Sequence, residues 1–188
     1  LNKPTNSDIY STQMAEFVDT FGRVAQPDYL PYAFFIEGGG LAVENALKVA
    51  FDWKVRKNLA AGNGEKGTKV IHFDECFHGR TGYTLSLTDS PDPRKTLYFP
   101  KFDWPRITTP KLSFPLTEDN IAITVALEDK AKREIENAIA ENPHDIAAII
   151  LEPIQGEGGD NHFRKEFMEY LRTVSDENDI MLIYDEVQ

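Results

Sequence analysis

Cysteine is all but missing from this chain: Cys76 stands alone among 188 residues. No intrachain disulfide can form, which excludes stapled extracellular scaffolds and suits a reducing, cytoplasmic compartment. Basic residues are also scarce, 20 Lys and Arg against 31 Asp and Glu, and a net charge of -11 argues against a nucleic-acid partner. No apolar run approaches the ~20 residues that span a bilayer, and no signal peptide is visible, so no membrane partner is expected. The Gly-Lys-Ser/Thr of a Walker loop is absent, as is Gly-x-Gly-x-x-Gly. His72, His144 and His162 share no metal-ligand spacing, and no metal is expected. What is present, 41% apolar and 27% charged residues, describes a globular chain long enough for one domain with a sizeable core. The chain opens on Leu1 and closes on a motif that reads as a strand end, so it is expected to be a fragment.

Hydrophobic periodicity predicts a helix over about 7–24, with Asn6, Ser7 and Asp8 as candidate caps. Tyr32 to Ile36 reads as a short aromatic strand. A helix follows from Leu41 to about Ala61, where Gly62-Asn63-Gly64 stops it. Strands are predicted at Lys69–Phe73, Ala147–Leu151 and Ile180–Tyr184, the last two preceded by helices over about 124–141 and 165–177. This alternation predicts an α/β fold, a mainly parallel sheet covered by helices in three layers. The stretch 90–120 holds six prolines and is expected to wrap the surface or line an entrance.

Four runs fall where predicted strands stop: Glu37-Gly38-Gly39-Gly40, Glu75-Cys76-Phe77-His78-Gly79-Arg80, Glu152-Pro153-Ile154-Gln155-Gly156-Glu157 and Asp185-Glu186-Val187-Gln188. Ligands of open α/β sheets bind outside the carboxyl ends of the strands, so the four together describe one cleft. Consecutive glycines before a helix let backbone N–H groups approach a phosphate; a tight turn alone would also use them. Asp185, ending a buried strand, needs a cationic partner such as a protonated ring nitrogen, with Val187 as apolar floor; a metal or salt-bridged Asp-Glu pair is the alternative. Arg80 can clamp a carboxylate while Phe77 or His78 stacks on a flat cofactor; taken alone, the run is better read as Arg80 pairing with a surface acid and Phe77 in the core. Glu152 and Glu157 flank a sharp turn, and either can be structural. Lys48 and Lys54 read as solvated.

In order, Gly38 to Lys48 (Gly-Gly-Gly-Leu-Ala-Val-Glu-Asn-Ala-Leu-Lys), Phe77 to Arg80, Glu152 to Gly159 and Asp185 to Gln188 resemble the motifs of class III aminotransferases. Asn6 to Asp8, Ala50 to Lys54, Lys101 to Arg106 and Gly158 to Arg164 are similar to the branch of that family that acts on the terminal amine of L-lysine. The resemblance covers nearly the whole chain and implies a fold type I transferase using pyridoxal 5'-phosphate. It implies that Gly39 and Gly40 meet the phosphate, Phe77 and Val187 the two ring faces, Asp185 the ring nitrogen and Gln188 the ring hydroxyl. Arg80 would clamp the substrate α-carboxylate. Glu157 would be a switchable acid that neutralises an active-site arginine, itself expected beyond Gln188, when lysine binds and releases it for the dicarboxylate co-substrate, with Glu152 supporting it or the cofactor's surroundings. One departure is Gly40, where the family has alanine. The Schiff-base lysine is expected beyond Gln188.

Residues 1–188 are thus expected to form part of the cofactor-binding large domain, with the remainder and a small domain lying outside the chain. The implied reaction of the intact protein, a homodimer, moves the ε-amino group of L-lysine to 2-oxoglutarate, giving 2-aminoadipate 6-semialdehyde and glutamate. The chain alone is expected to be inactive. Rival readings are another ω-aminotransferase, acting on ornithine, acetylornithine or 4-aminobutyrate, and a non-catalytic module that binds a phosphate ligand.

Overall fold

The computed structural model describes residues 10–188. Two compact units divide the chain, Leu1–Ile36 and Glu37–Gln188. In the first, α1 (Thr12–Val24) is capped by Ser11, whose hydroxyl accepts the Met14 N–H at 3.2 Å. The expected caps Asn6, Ser7 and Asp8 lie outside the described residues. The strand expected at Tyr32 to Ile36 does not form. No strand of this unit is available to ladder with it among the described residues, and Phe35 packs instead edge-on against Phe17 and Phe21 of α1, with ring centroids 5.4 and 5.5 Å away.

In the second unit α2 (Gly39–Ala61) ends at Gly62, which takes the left-handed conformation that closes the helix. The chain then runs through β1 (Lys69–Phe73), the one-turn α3 (Thr84–Leu87), β2 (Arg106–Ile107), α4 (Glu118–Glu141) and β3 (Ile146–Leu151). A small pair, β4 (Ile154–Gln155) and β5 (Asn161–His162), precedes α5 (Lys165–Glu177) and β6 (Met181–Tyr184). The main sheet has the order β2-β1-β3-β6, and every pairing in it is parallel. Alternate residues face opposite ways. Ile71, Phe73, Ile149 and Leu151 pack with Ala131 and Ile135 of α4 and Phe167 and Leu171 of α5. Val70, Ala148 and Ile150 pack with Val43, Leu47 and Ala50 of α2. Helices therefore cover both faces, and no described helix is long and apolar enough to cross a membrane.

Several elements depart from the expected bounds by a few residues, and one short strand of the main sheet was not expected. Helix α4 starts at Glu118, six residues early, because the Thr117 hydroxyl caps the Asn120 N–H and two acids fill the first turn, signals that apolar period ignores. Strand β2 is two residues at the sheet edge, too short to show a period. Lys54 is buried, against the solvated reading. Its ammonium donates to the carbonyls of Asn178 (3.2 Å) and Asp179 (2.7 Å), where the carboxyl end of α5 offers unpaired acceptors.

Candidate active site

Because β1, β3 and β6 run parallel, the segments that follow them emerge at one edge of the sheet. Leu151 pairs with Tyr184, so Glu152 and Asp185 leave the sheet side by side, and the Asp185 N–H donates to the Leu151 carbonyl at 2.9 Å. Each run is fastened to another. The His78 ring meets Asp185 with Nδ1 2.8 Å from Oδ2. Glu152 accepts the Phe77 N–H through Oε2 at 2.9 Å and the Gly156 N–H through Oε1 at 3.3 Å. Gln188 lies over Gly156 so closely that a Cβ there would fall 2.4 Å from its amide nitrogen. Gly79 and Gly40 also touch: a Cβ on Gly79 would sit 3.0 Å from the Gly40 Cα. All four runs thus meet within the second unit.

Gly39 and Gly40 are the first residues of α2, with Gly38 (φ 93°) as the turn before them. The N–H groups of Gly39, Gly40 and Leu41 donate to no described carbonyl; the first helical bond of the loop is Ala42 to Gly38 at 3.0 Å. Nothing lies within 4 Å of where a Cβ of Gly39 would be. Three donors without a described carbonyl partner, at the positive end of a 23-residue helix, suit a phosphate. An alanine at Gly40 would bring its methyl 3.3 Å from the Thr81 methyl, a tight fit that glycine relieves.

Asp185 presents one carboxylate oxygen to His78 and keeps Oδ1 without a hydrogen-bond partner among the described residues, its side chain 16% exposed. It lines a recess of about 330 Å³ with Pro153, Ile154, Glu186 and Gln188. Val187 is exposed, Phe77 is half-buried, and Arg80 is exposed with no ion pair to a described residue. Glu157 accepts from the Ser90 hydroxyl at 2.9 Å and is ion-paired with Lys95. The second oxygen of Glu157 is buried without a partner. Both Glu152 oxygens are occupied by loop amides, and burial pushes its pKa up against those hydrogen bonds. That places Glu152 as the clasp between two runs. No cluster of three or more His, Cys, Asp or Glu side chains could hold a metal among the described residues.

Sequence reasoning gave His78 no firm place, yet its ring is buried against Asp185. Burial disfavours a charged ring, and an unpartnered Nε2 adds to that cost; the bond to Asp185, with Cys76 beside it, outweighs both and raises the His78 pKa to about 10. The available signal was the Phe-His-Gly-Arg motif itself; its partner lies 107 residues away and is invisible to spacing. A pKa raised by folding contributes stability that is complete below about pH 6.5, the ordinary histidine value, and is lost as pH rises through the folded pKa. Unfolding midpoints in urea should therefore fall more steeply from about pH 7 to about pH 10 in the wild-type full-length protein than in His78→Asn. Parallel slopes would show that His78 is neutral in the fold.

The aminotransferase class III family profile matches residues 6–188. The chain belongs to the class III aminotransferases. An L-lysine-epsilon aminotransferase of Mycobacterium bovis is 56% identical over 189 residues, covering all of this chain and 41% of the relative. One from Amycolatopsis lactamdurans is 47% identical over 188 residues, again 41% of its length. A 4-aminobutyrate aminotransferase of Emericella nidulans is 32% identical over 206 residues. Among solved structures, lysine aminotransferase from M. tuberculosis superposes with a TM-score of 0.93 at 55% identity, over all of this chain and 42% of that one. This class III aminotransferase chain spans about two fifths of the length of the curated relatives it matches. The family is pyridoxal-phosphate-dependent, and the free amides of α2 and the open Oδ1 of Asp185 fit the phosphate and the pyridine nitrogen of that cofactor.

Proposed function

We propose that the intact protein transfers the ε-amino group of L-lysine to 2-oxoglutarate, giving 2-aminoadipate 6-semialdehyde and glutamate. The observation that carries the reading is Asp185: one oxygen is held by a buried histidine and the other is left open, on a sheet edge that also gathers the free amides of α2. Gly39 and Gly40 hold the cofactor phosphate through their N–H groups. Phe77 and Val187 bracket the ring, Gln188 bonds its hydroxyl, and Asp185 keeps a proton on its nitrogen. The cofactor, when bound, supplies an electron sink for the charge left by the departing substrate proton. Asp185 does its part through its open oxygen, and the His78 hydrogen bond fixes the orientation of its carboxylate. Arg80, which bonds to no described residue, receives the substrate α-carboxylate in a bidentate pair and so leaves the far amine pointing at the reacting carbon. Glu157 lines the substrate space and answers the charge of each co-substrate. A homodimer belongs to the same reading.

Lysine is favoured over the other ω-amino substrates by the 56% and 47% identities to lysine enzymes against 32% for a 4-aminobutyrate enzyme. The test compares kcat/KM of the full-length protein for L-lysine, L-ornithine and 4-aminobutyrate. We expect lysine to lead by at least about tenfold, the discrimination that one misplaced methylene or a missing carboxylate contact gives. A lead by either rival would overturn the assignment.

A further inference from the structure

Lys95 has no role in the reading above, yet it touches two of its members. The turn Pro93–Lys95 carries it over the ring of Phe77, with Nζ 5.6 Å from the ring centroid, and onto the Glu157 carboxylate. The turn is itself fixed. Asp92 caps it, accepting the Arg94 N–H at 3.1 Å, and the Ser90 hydroxyl accepts the Asp92 N–H at 3.1 Å while donating to Glu157 at 2.9 Å. One oxygen of Glu157 is thus held by a cation and a hydroxyl that belong to the same braced segment, while the other is buried and unpartnered. A carboxylate held on one oxygen only has two stable uses. It can stay on the cation, or it can turn toward a positive group in the space beside it.

We propose that Lys95 is a specificity-determining residue that receives the Glu157 carboxylate when the dicarboxylic co-substrate occupies the site. This rests on the reading of Glu157 as the acid that answers the two co-substrates. L-Lysine brings one carboxylate and an amine, whereas a 2-oxo diacid brings two carboxylates, so an unpaired Glu157 repels the second far more than the first. The Lys95 ammonium and the Ser90 hydroxyl neutralise and retract that charge. The 90–120 stretch thereby supplies part of the site's selectivity and is more than a wrapping.

The experiment measures KM for 2-oxoglutarate and for L-lysine in the full-length enzyme carrying Lys95→Met, which keeps the stem over Phe77 and removes the charge. The ratio of the two KM values should move about fivefold against the diacid, the upper range for a partly exposed ion pair. Lys95→Arg should restore it. In a Glu157→Gln background, Lys95→Met should have no further effect on the ratio, because nothing remains to be retracted. Glu157→Gln alone should move the ratio toward the diacid. If Glu157→Gln shifts the ratio and Lys95→Met does not, the inference fails and the reading of Glu157 stands. If Glu157→Gln leaves the ratio unmoved, the reading of Glu157 fails and takes the inference with it. A Lys95→Met shift that persists in the Glu157→Gln background, or that Lys95→Arg does not reverse, also overturns the inference.

Discussion

Asp185→Ala in the full-length protein is expected to cut turnover by about a thousandfold, the worth of a ~4 kcal/mol contact between unit charges at an effective dielectric near 20. In the proposed reading, the pair it removes joins the open Oδ1 of Asp185 to the ring nitrogen of the cofactor. Without that anion the nitrogen loses its proton at neutral pH and the ring no longer withdraws charge from the reacting carbon. Cofactor binding should weaken far less, because the phosphate contacts of α2 and the apolar contacts of Phe77 and Val187 lie elsewhere. The variant also strands His78, whose charge is then buried without a partner, so its pKa should fall and the ring turn neutral. Steady-state rates and cofactor titration on the same preparations separate the two effects. Turnover within tenfold of wild type, with cofactor bound, would show that Asp185 serves only His78.

The second large effect belongs to a residue with no side chain. Gly79→Ala should destabilise the protein by about 2–4 kcal/mol, combining backbone strain with overpacking, and weaken cofactor binding with it. Gly79 has φ 116°, where L side chains are strained whatever the space around them. A methyl there would also stand 2.9 Å from the Thr84 hydroxyl and 3.0 Å from the Gly40 Cα. Neither neighbour can yield freely. The Thr84 hydroxyl accepts the Thr81 N–H at 2.9 Å, and Thr81 and Tyr83 are both tied to Glu44 of α2. Relief must come from pushing the start of α2 away, which displaces the amides proposed to meet the phosphate. Denaturant unfolding and a cofactor titration check this. Wild-type values in both would mean that the loop is pliant and the approach of Gly79 to Gly40 is incidental.

Much of this architecture could be read from the sequence, and for identifiable reasons. Strand β1 was expected at its observed bounds because five residues between a glycine-rich turn and a polar run leave little latitude. Three strands ending in chemically unusual runs predicted the location of the site, since parallel strands share a carboxyl edge. The failures share a cause, which is that local pattern does not know its partner. Tyr32 to Ile36 has the composition of a strand, and no ladder forms there among the described residues. Lys54 has the polarity of a surface residue and lies under the carbonyls that end α5. His78 and Lys95 are drawn into the site by partners 107 and 62 residues distant. The motifs could name who sits at the cleft; only the fold shows that each Glu152 oxygen accepts a loop amide and so ties two runs together.

Arg80 stands apart from the frame that surrounds it. Gly79, on one side, is locked by its neighbours, and Thr81, on the other, is tied into α2, while the guanidinium between them bonds to no described residue. Folding of the described residues therefore places little demand on this position, and in the proposed reading substrate recognition places most of it. A lineage can exchange the side chain at 80 and drift to a differently charged amine donor without first acquiring compensating mutations in its core.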